Sequence, residues 1–169
     1  RSQERGFDAV VVGRQRSQRR RELVASLRFL GQEIKCSARQ PDGEEPELVE
    51  HPSAGAHLAA MLLCCRWKEV AADLPQRPIL GALGLSGVYD LEPLRHTPFI
   101  QADLRLTARS ANRLSPAFFA RPKRPLYTVA GGLESDEFLR QNLLIRDQWG
   151  PTTVAVCETL AGANHLDIL

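Results

Sequence analysis

The sequence has no long apolar run. A membrane-spanning helix needs roughly 20 consecutive apolar residues, whereas the apolar stretch in the middle of the chain extends only from Leu58 to Cys65. The Arg-rich start is not followed by the apolar segment and small-residue cleavage site of a secretory signal. These absences predict a protein with no membrane partner and no signal peptide, and we expect a cytoplasmic location.

Cysteine and histidine are scarce, with four of each among 169 residues. The cysteines are Cys36, Cys64, Cys65 and Cys157, and no two of them form a CxxC pair. The adjacent Cys64 and Cys65 do not fit the ligand spacing of ordinary metal sites. We therefore expect reduced thiols and no metal site.

Basic charge is concentrated in one part of the chain. Residues 1–40 hold ten Lys and Arg against four Asp and Glu, although the whole chain carries a net charge of only +2. The run Arg14–Arg21 is compatible with phosphate binding, but it has no interleaved aromatic residues, so a solvated face is favoured over nucleic-acid binding. The strand-like segment Phe7–Gly13 is not followed by the glycines of a dinucleotide-binding turn.

The remaining composition is that of a folded globular protein, with 43% hydrophobic and 25% charged residues. Apolar periodicity predicts strands at Phe7–Gly13, Ile79–Ser86, Leu126–Ala130 and Thr153–Glu158, and helices at Glu22–Leu30, Ala54–Val70 and Ser135–Trp149. Prolines break residues 91–122 into short pieces. Because strands alternate with helices, the predicted fold class is α/β with a mostly parallel sheet, whose strands end on a common edge.

One candidate nucleophile lies just before the second predicted helix. The segment His51-Pro-Ser-Ala-Gly55 keeps the second half of the G-x-S-x-G elbow, in which a sharp turn exposes a serine hydroxyl. The leading glycine is replaced by His51, and Pro52 stands directly before Ser53. A helix N-cap role for Ser53 is the alternative.

An acid and a histidine follow the last two predicted strands. Glu134 is the best-placed acid after the strand that ends at Ala130, with Asp136 and Glu137 as alternatives. All three acids would also suit the N-terminus of the following helix, where they complement its dipole. His165 follows the final predicted strand, and the order serine, acid, histidine is that of α/β-hydrolases.

Several segments, taken together, resemble the kynurenine formamidase (arylformamidase) branch of the esterase/lipase α/β-hydrolases. They are Ser53-Ala-Gly-Ala-His-Leu58, Ser86-Gly-Val-Tyr-Asp-Leu-Glu-Pro-Leu94, Leu114-Ser-Pro116, Glu134-Ser-Asp-Glu-Phe-Leu-Arg-Gln141 and Gly162-Ala-Asn-His-Leu166. The resemblance covers about residues 51–169. It implies an α/β-hydrolase fold, a small-molecule substrate and no cofactor.

The resemblance also implies roles for individual residues. Ser53 would be the nucleophile, His165 the base and Glu134 the acid that holds it, while the N–H of Ala54 would donate to the oxyanion. The implied reaction is hydrolysis of the formamide of N-formylkynurenine to kynurenine and formate. A carboxylesterase is the alternative, because the same triad cleaves aryl formamides and esters. A homodimer is left open.

Some features depart from this family. Its members carry a His-Gly-Gly loop upstream of the elbow that supplies oxyanion donors, and this sequence contains no such motif. Residues 1–50 do not follow the family's pattern, so we predict one domain over residues 1–169 with an atypical segment at 1–50 and a catalytic part at 51–169. A catalytically impaired hydrolase fragment, acting as an interaction module, is therefore a further alternative.

Overall fold

The strands and helices of the protein were located in a computed structural model. It describes residues 11–17, 20–29, 32–40, 48–76 and 78–168. The strands are β1 (Val11–Ser17), β2 (Arg20–Phe29), β3 (Gln32–Gln40), β4 (Leu48–Pro52), β5 (Gly81–Leu85), β6 (Leu126–Gly131) and β7 (Val156–Leu160). The α-helices are α1 (Ala54–Leu63), α2 (Trp67–Val70), α3 (Pro98–Leu104), α4 (Ala108–Arg113) and α5 (Asp136–Trp149). Short 3₁₀ helices span Glu92–His96 and Pro116–Phe118.

The chain divides into two compact units. The first contains the described parts of residues 1–47, 67–78 and 91–114, and the second contains those of residues 48–66, 79–90 and 115–169. Strand β4 thus belongs to the second unit, although it begins before the boundary predicted at residue 51. The prediction of one domain over residues 1–169 stays a prediction. No helix of the described residues is long and apolar enough to cross a membrane.

The first unit contains a three-stranded antiparallel sheet in the order β1-β2-β3. The helix predicted at Glu22–Leu30 is wrong, because residues 22–29 belong to β2, which pairs with β1 over residues 20–26 and with β3 over residues 21–29. Leu23 and Leu27 fit helical spacing, but Leu23, Ala25 and Leu27 also alternate with the period of a strand. Backbone pairing on both sides decides between these two patterns.

Two other segments that the sequence analysis considered within residues 1–40 overlap strands of this sheet. The predicted strand Phe7–Gly13 overlaps β1, but β1 continues through Gly13 to Ser17. Residues 7–10 lie outside the described residues. The basic run Arg14–Arg21 spans the end of β1 and the start of β2.

The second unit contains a four-stranded parallel sheet in the order β4-β5-β6-β7. Helix α1 connects β4 to β5, and α5 connects β6 to β7, so the predicted parallel α/β class is confirmed. Strand β4 was not predicted, and β7 begins at Val156 instead of Thr153. Thr153 lies in a turn, where its N–H donates to the carbonyl of Gly150 at 3.1 Å.

The predicted helix Ala54–Val70 is interrupted. Helix α1 ends at Leu63, and a separate single turn, α2, begins at Trp67. The N–H groups of Cys64 and Cys65 donate to carbonyls three residues back, at 3.1 and 3.2 Å. This tightening satisfies the last carbonyls of α1 and ends the helix.

Helix α5 buries polar as well as apolar side chains. Gln141 and Asn142 are buried, whereas Leu143 is 58% exposed. The buried Asn142 is satisfied because its amide nitrogen donates to the carbonyl of Glu158 in β7 at 2.9 Å. At the end of α5, the indole N–H of the buried Trp149 donates to the carbonyl of Pro116 at 3.1 Å. These contacts fix α5 against the sheet and the 116–118 turn.

We expect Trp149→Ala to lower the free energy of unfolding by about 3–5 kcal/mol, because it leaves a large cavity and removes the indole hydrogen bond to the Pro116 carbonyl. Gln148→Ala changes an exposed neighbour on the same helix and should cost less than about 0.5 kcal/mol. Urea denaturation followed by far-UV circular dichroism measures both. Equal unfolding midpoints for the two variants would contradict this assignment of the core.

Candidate active site

The carboxyl ends of the four parallel strands carry the residues of interest. Ser53 follows β4, Ser86 follows β5 and Glu134 follows β6 after a short turn. His165 lies in the loop after β7. Because parallel strands end on the same edge of their sheet, these side chains come from one side of the second unit, which agrees with the common strand edge predicted from the sequence.

Ser53 occupies a strained turn between β4 and α1. Its backbone has φ 49° and ψ −113°, a conformation that costs a non-glycine residue about 1–3 kcal/mol. Its N–H donates to the carbonyl of Leu85 at 2.7 Å, which ties the turn to the end of β5. Ser53 stands at the N-cap position of α1, but its side chain makes no capping hydrogen bond. The alternative is therefore confirmed for the position of Ser53 but not for the capping hydrogen bond.

The residues on either side of Ser53, Pro52 and Ala54, are also placed by this turn. Ala54 is the first residue of α1, where a helix N–H has no acceptor within its own helix. Its assignment as an oxyanion donor stays a prediction. Pro52 ends β4 and pairs with Leu85 of β5. Among the described strands, β4 has a neighbour on one side only, and such an edge position tolerates proline.

His165 and Glu134 form a direct contact. His165 Nδ1 lies 2.7 Å from Glu134 Oε2; the glutamate side chain is 1% exposed and the histidine side chain 35%. The ring of Phe138 also packs against the imidazole, with centroids 4.7 Å apart. A carboxylate at Nδ1 fixes the tautomer in which Nδ1 carries the proton, so that Nε2 can accept one.

The other carboxylate oxygen of Glu134, Oε1, accepts two hydrogen bonds. Oε1 accepts from the hydroxyl of Ser86 at 2.5 Å and from the N–H of Gly131 at 2.6 Å. Burial opposes ionisation of this carboxyl, but the hydrogen bonds from Ser86, His165 and Gly131 outweigh it and lower the pKa of Glu134 below its ordinary value. Glu134 is therefore a charged acceptor at neutral pH.

The two alternative acids lie elsewhere. Asp136 is exposed at the first position of α5. Glu137 accepts from Arg140 at 2.8 Å and from Gln141 at 2.7 Å. The hydrogen bond from Arg140 is the main reason that the pKa of Glu137 is lowered. The acid in contact with His165 is therefore Glu134.

The acid loop and the histidine loop touch through their backbones. A Cβ on Gly131 would lie 2.5 Å from the carbonyl oxygen of Ala163. The same carbonyl accepts from the N–H of Leu133 at 3.0 Å. In the histidine loop, the side-chain oxygen of Asn164 accepts from the N–H of Leu166 at 2.8 Å. Only glycine at position 131 permits this close approach.

Sequence reasoning gave no role to two buried residues of this region. Ser86 is 1% exposed and donates to an acid 48 positions away. Gln141 accepts from the N–H groups of Tyr89 and Asp90, in the loop after β5, at 2.8 Å each. The only sequence signal for Ser86 and Gln141 was their place in the family-like segments.

Metal-binding clusters and cysteine thiols are the other groups that could carry chemistry in this chain. No group of three or more His, Cys, Asp or Glu side chains in the described part of the chain is arranged to hold a metal ion. Burial, together with the neighbouring Cys65, raises the pKa of the Cys64 thiol to about 12. Burial also raises the pKa of Cys65. Neither thiol is a ready nucleophile at neutral pH.

Replacing Glu134 should make the stability less dependent on pH. The lowered pKa means that the ionised Glu134 stabilises the fold above the pKa of an unfolded glutamate, about 4.3, and that this stabilisation is lost as pH falls through the lower folded pKa. We expect Glu134→Gln to cost about 2 kcal/mol at pH 7, and the difference from the wild type to shrink below about pH 4.

Chemical denaturation at pH 7 and in acid measures this difference. Asp136→Asn, which changes an exposed acid two residues away, is the matched control. A constant difference between Glu134→Gln and the wild type across this pH range would contradict the stabilising role of the charge.

Comparison with known sequences gives a partial match. No family model matches the chain. Kynurenine formamidase from Danio rerio is 43% identical over 67 residues, which is 40% of this chain and 22% of the fish protein. Kynurenine formamidase from Salmo salar is 45% identical over 65 residues, which is 38% of this chain and 21% of that protein. The match thus spans about a fifth of the length of these curated relatives.

Comparison with solved structures extends further along the chain. A candidate thioesterase from Silicibacter sp. superposes with a TM-score of 0.62 and 23% identity, covering 74% of this chain and 45% of that one. A variant of an esterase superposes with a TM-score of 0.52 and 16% identity, covering 74% and 47%. The predicted fold and the predicted resemblance are confirmed: this is a chain of the α/β-hydrolase fold, similar in sequence over 40% of its length to kynurenine formamidases.

Proposed function

We propose that this chain is a serine hydrolase in which Ser53 is the nucleophile, His165 the general base and Glu134 the acid that orients the imidazole. The observation that carries the proposal is the 2.7 Å contact between His165 Nδ1 and Glu134 Oε2. It supports a catalytic reading because it frees Nε2 for a proton, on the sheet edge that also bears the strained turn at Ser53.

The proposed reaction has two halves. Ser53 Oγ transfers its proton to His165 Nε2 and attacks the formyl carbon, while the N–H of Ala54 stabilises the oxyanion. The carbon–nitrogen bond then breaks, and His165 returns the proton to the leaving amine nitrogen. A water molecule, deprotonated by His165, attacks the formyl-serine, which releases formate and restores the Ser53 hydroxyl.

The oxyanion donors limit the turnover that we expect. Ala54 supplies one donor, and the sequence contains no His-Gly-Gly loop to supply others. Loss of a single oxyanion donor typically costs about 100–1,000-fold in turnover. We therefore expect hydrolysis to be slow compared with an enzyme that has a full oxyanion hole.

The proposed substrate class is an N-formyl aryl amine, specifically N-formylkynurenine. The local similarity to kynurenine formamidases supports this choice. A carboxylesterase is the second candidate, because esters need less protonation of the leaving group than amides and suit a site with few oxyanion donors. A cytoplasmic location and a homodimer stay predictions.

A fluorophosphonate probe tests the nucleophile. We expect the folded chain to be labelled, Ser53→Ala to abolish labelling, and His165→Ala to slow it by roughly a thousandfold or more, because the serine loses its base. Ser135→Ala removes an exposed hydroxyl close to Glu134 and is the matched control. Absence of labelling in the folded wild type would reject the proposal in favour of the catalytically impaired fragment.

Turnover of two substrates then tests the reaction. We expect N-formylkynurenine to release formate at a rate that depends on Ser53, because the triad can protonate an aryl amine as it leaves. Formate release and hydrolysis of a p-nitrophenyl ester are measured side by side on wild type and Ser53→Ala. Serine-dependent hydrolysis of the ester alone would identify the chain as a carboxylesterase.

A further inference from the structure

We infer that Ser86 is a positioning residue, whose hydroxyl holds the Glu134 carboxylate in the orientation that presents Oε2 to His165. The inference rests on the proposed function and deepens it, because it names a fourth side chain on which that triad depends. The Ser86 hydroxyl donates to the acid, and the proposed reaction gives Ser86 no direct part.

The division of contacts between the two carboxylate oxygens supports this role. Oε1 accepts from Ser86 Oγ at 2.5 Å and from the Gly131 N–H at 2.6 Å, whereas Oε2 meets His165 Nδ1 at 2.7 Å. The terminal torsion of a glutamate is broad and has no strong preference of its own. Donors on both oxygens therefore fix the carboxylate plane, and Ser86 supplies the only side-chain donor among the described contacts of Oε1.

Ser86 is itself held at the end of its strand. It is 1% exposed, and its N–H donates to the carbonyl of Val129 in β6 at 2.8 Å. Its backbone has φ 50°, a region where glycine is favoured and other residues are uncommon. The positive φ is unfavourable for a serine. The hydrogen bond from its hydroxyl to the charged Glu134 is favourable and offsets this strain.

The same contact separates Ser86 from the nucleophile. Ser53 and Ser86 both follow parallel strands and both have positive φ. A nucleophilic serine must give its proton to a base, but Ser86 donates its single hydroxyl proton to a carboxylate that is 1% exposed. The two strained serines therefore have different tasks.

The test uses the full chain with two substitutions of Ser86. Ser86→Ala removes the hydroxyl and keeps the strain, whereas Ser86→Gly removes the hydroxyl and relaxes the backbone. We expect both to slow fluorophosphonate labelling of Ser53 about tenfold, the effect of losing a hydrogen bond to a charged group. We also expect the low-field proton resonance of His165 Nδ1 to move upfield or broaden in both variants. Ser135→Ala should change neither.

Each outcome bears on the inference. A purely structural role for Ser86 predicts that Ser86→Gly labels at the wild-type rate with an unchanged His165 resonance, and that result overturns the inference. If the wild type is not labelled at Ser53, the proposed function fails, but the resonance still decides. A shift in the Ser86 variants supports the positioning role, and an unchanged resonance overturns it.

Discussion

The buried carboxylate of Glu134 constrains the carboxyl edge of the parallel sheet. An unpaired charge in this setting would be strongly unfavourable, so its two oxygens need donors from several directions. Those donors come from Ser86 after β5, from Gly131 at the end of β6, and from His165 after β7. The sheet order β5-β6-β7 is what brings these three segments to one carboxylate.

The two strained serine turns at this edge are held by their packed surroundings. The positive φ values at Ser53 and Ser86 persist because the surroundings hold them. Ser53 donates to the end of β5, and Ser86 donates to β6. Behind the Ser53 turn, α1 begins with small residues, among which Ala56 and Ala59 are completely buried. Small side chains there let the helix pack close to the sheet, which leaves the turn little room to relax.

The sequence was informative where one pattern dominated. The runs that became β5 and β6 are continuous and apolar, and α5 has a clear helical period, so these elements and the parallel sheet could be predicted. The helix predicted at Glu22–Leu30 is wrong because Leu23 and Leu27 fit both periods, and only pairing with β1 and β3 identifies residues 20–29 as a strand. The short β4 was missed because its five residues are mostly polar or proline.

Some residues of the candidate site could be predicted from the sequence and others could not. Chain order and family-like segments pointed to Ser53, Glu134 and His165, since each follows a strand end. The contact of Ser86 with Glu134 joins residues 48 positions apart, and no local spacing encodes it. The burial of Gln141 was equally hidden, because a polar helix residue normally suggests solvent. It is buried because it pairs with the backbone of residues 89 and 90.

The contact between Gly131 and Ala163 has a consequence for how this edge can change. With a backbone carbonyl 2.5 Å from the place of a Cβ, the two loops have no spare space between them. The Leu133 N–H adds a hydrogen bond to the same carbonyl. An insertion or deletion in one loop therefore displaces the other loop. The loop that carries Glu134 and the loop that carries His165 can change in length only together. Changes of loop length that leave the contact between Glu134 and His165 intact therefore have to occur outside these two loops.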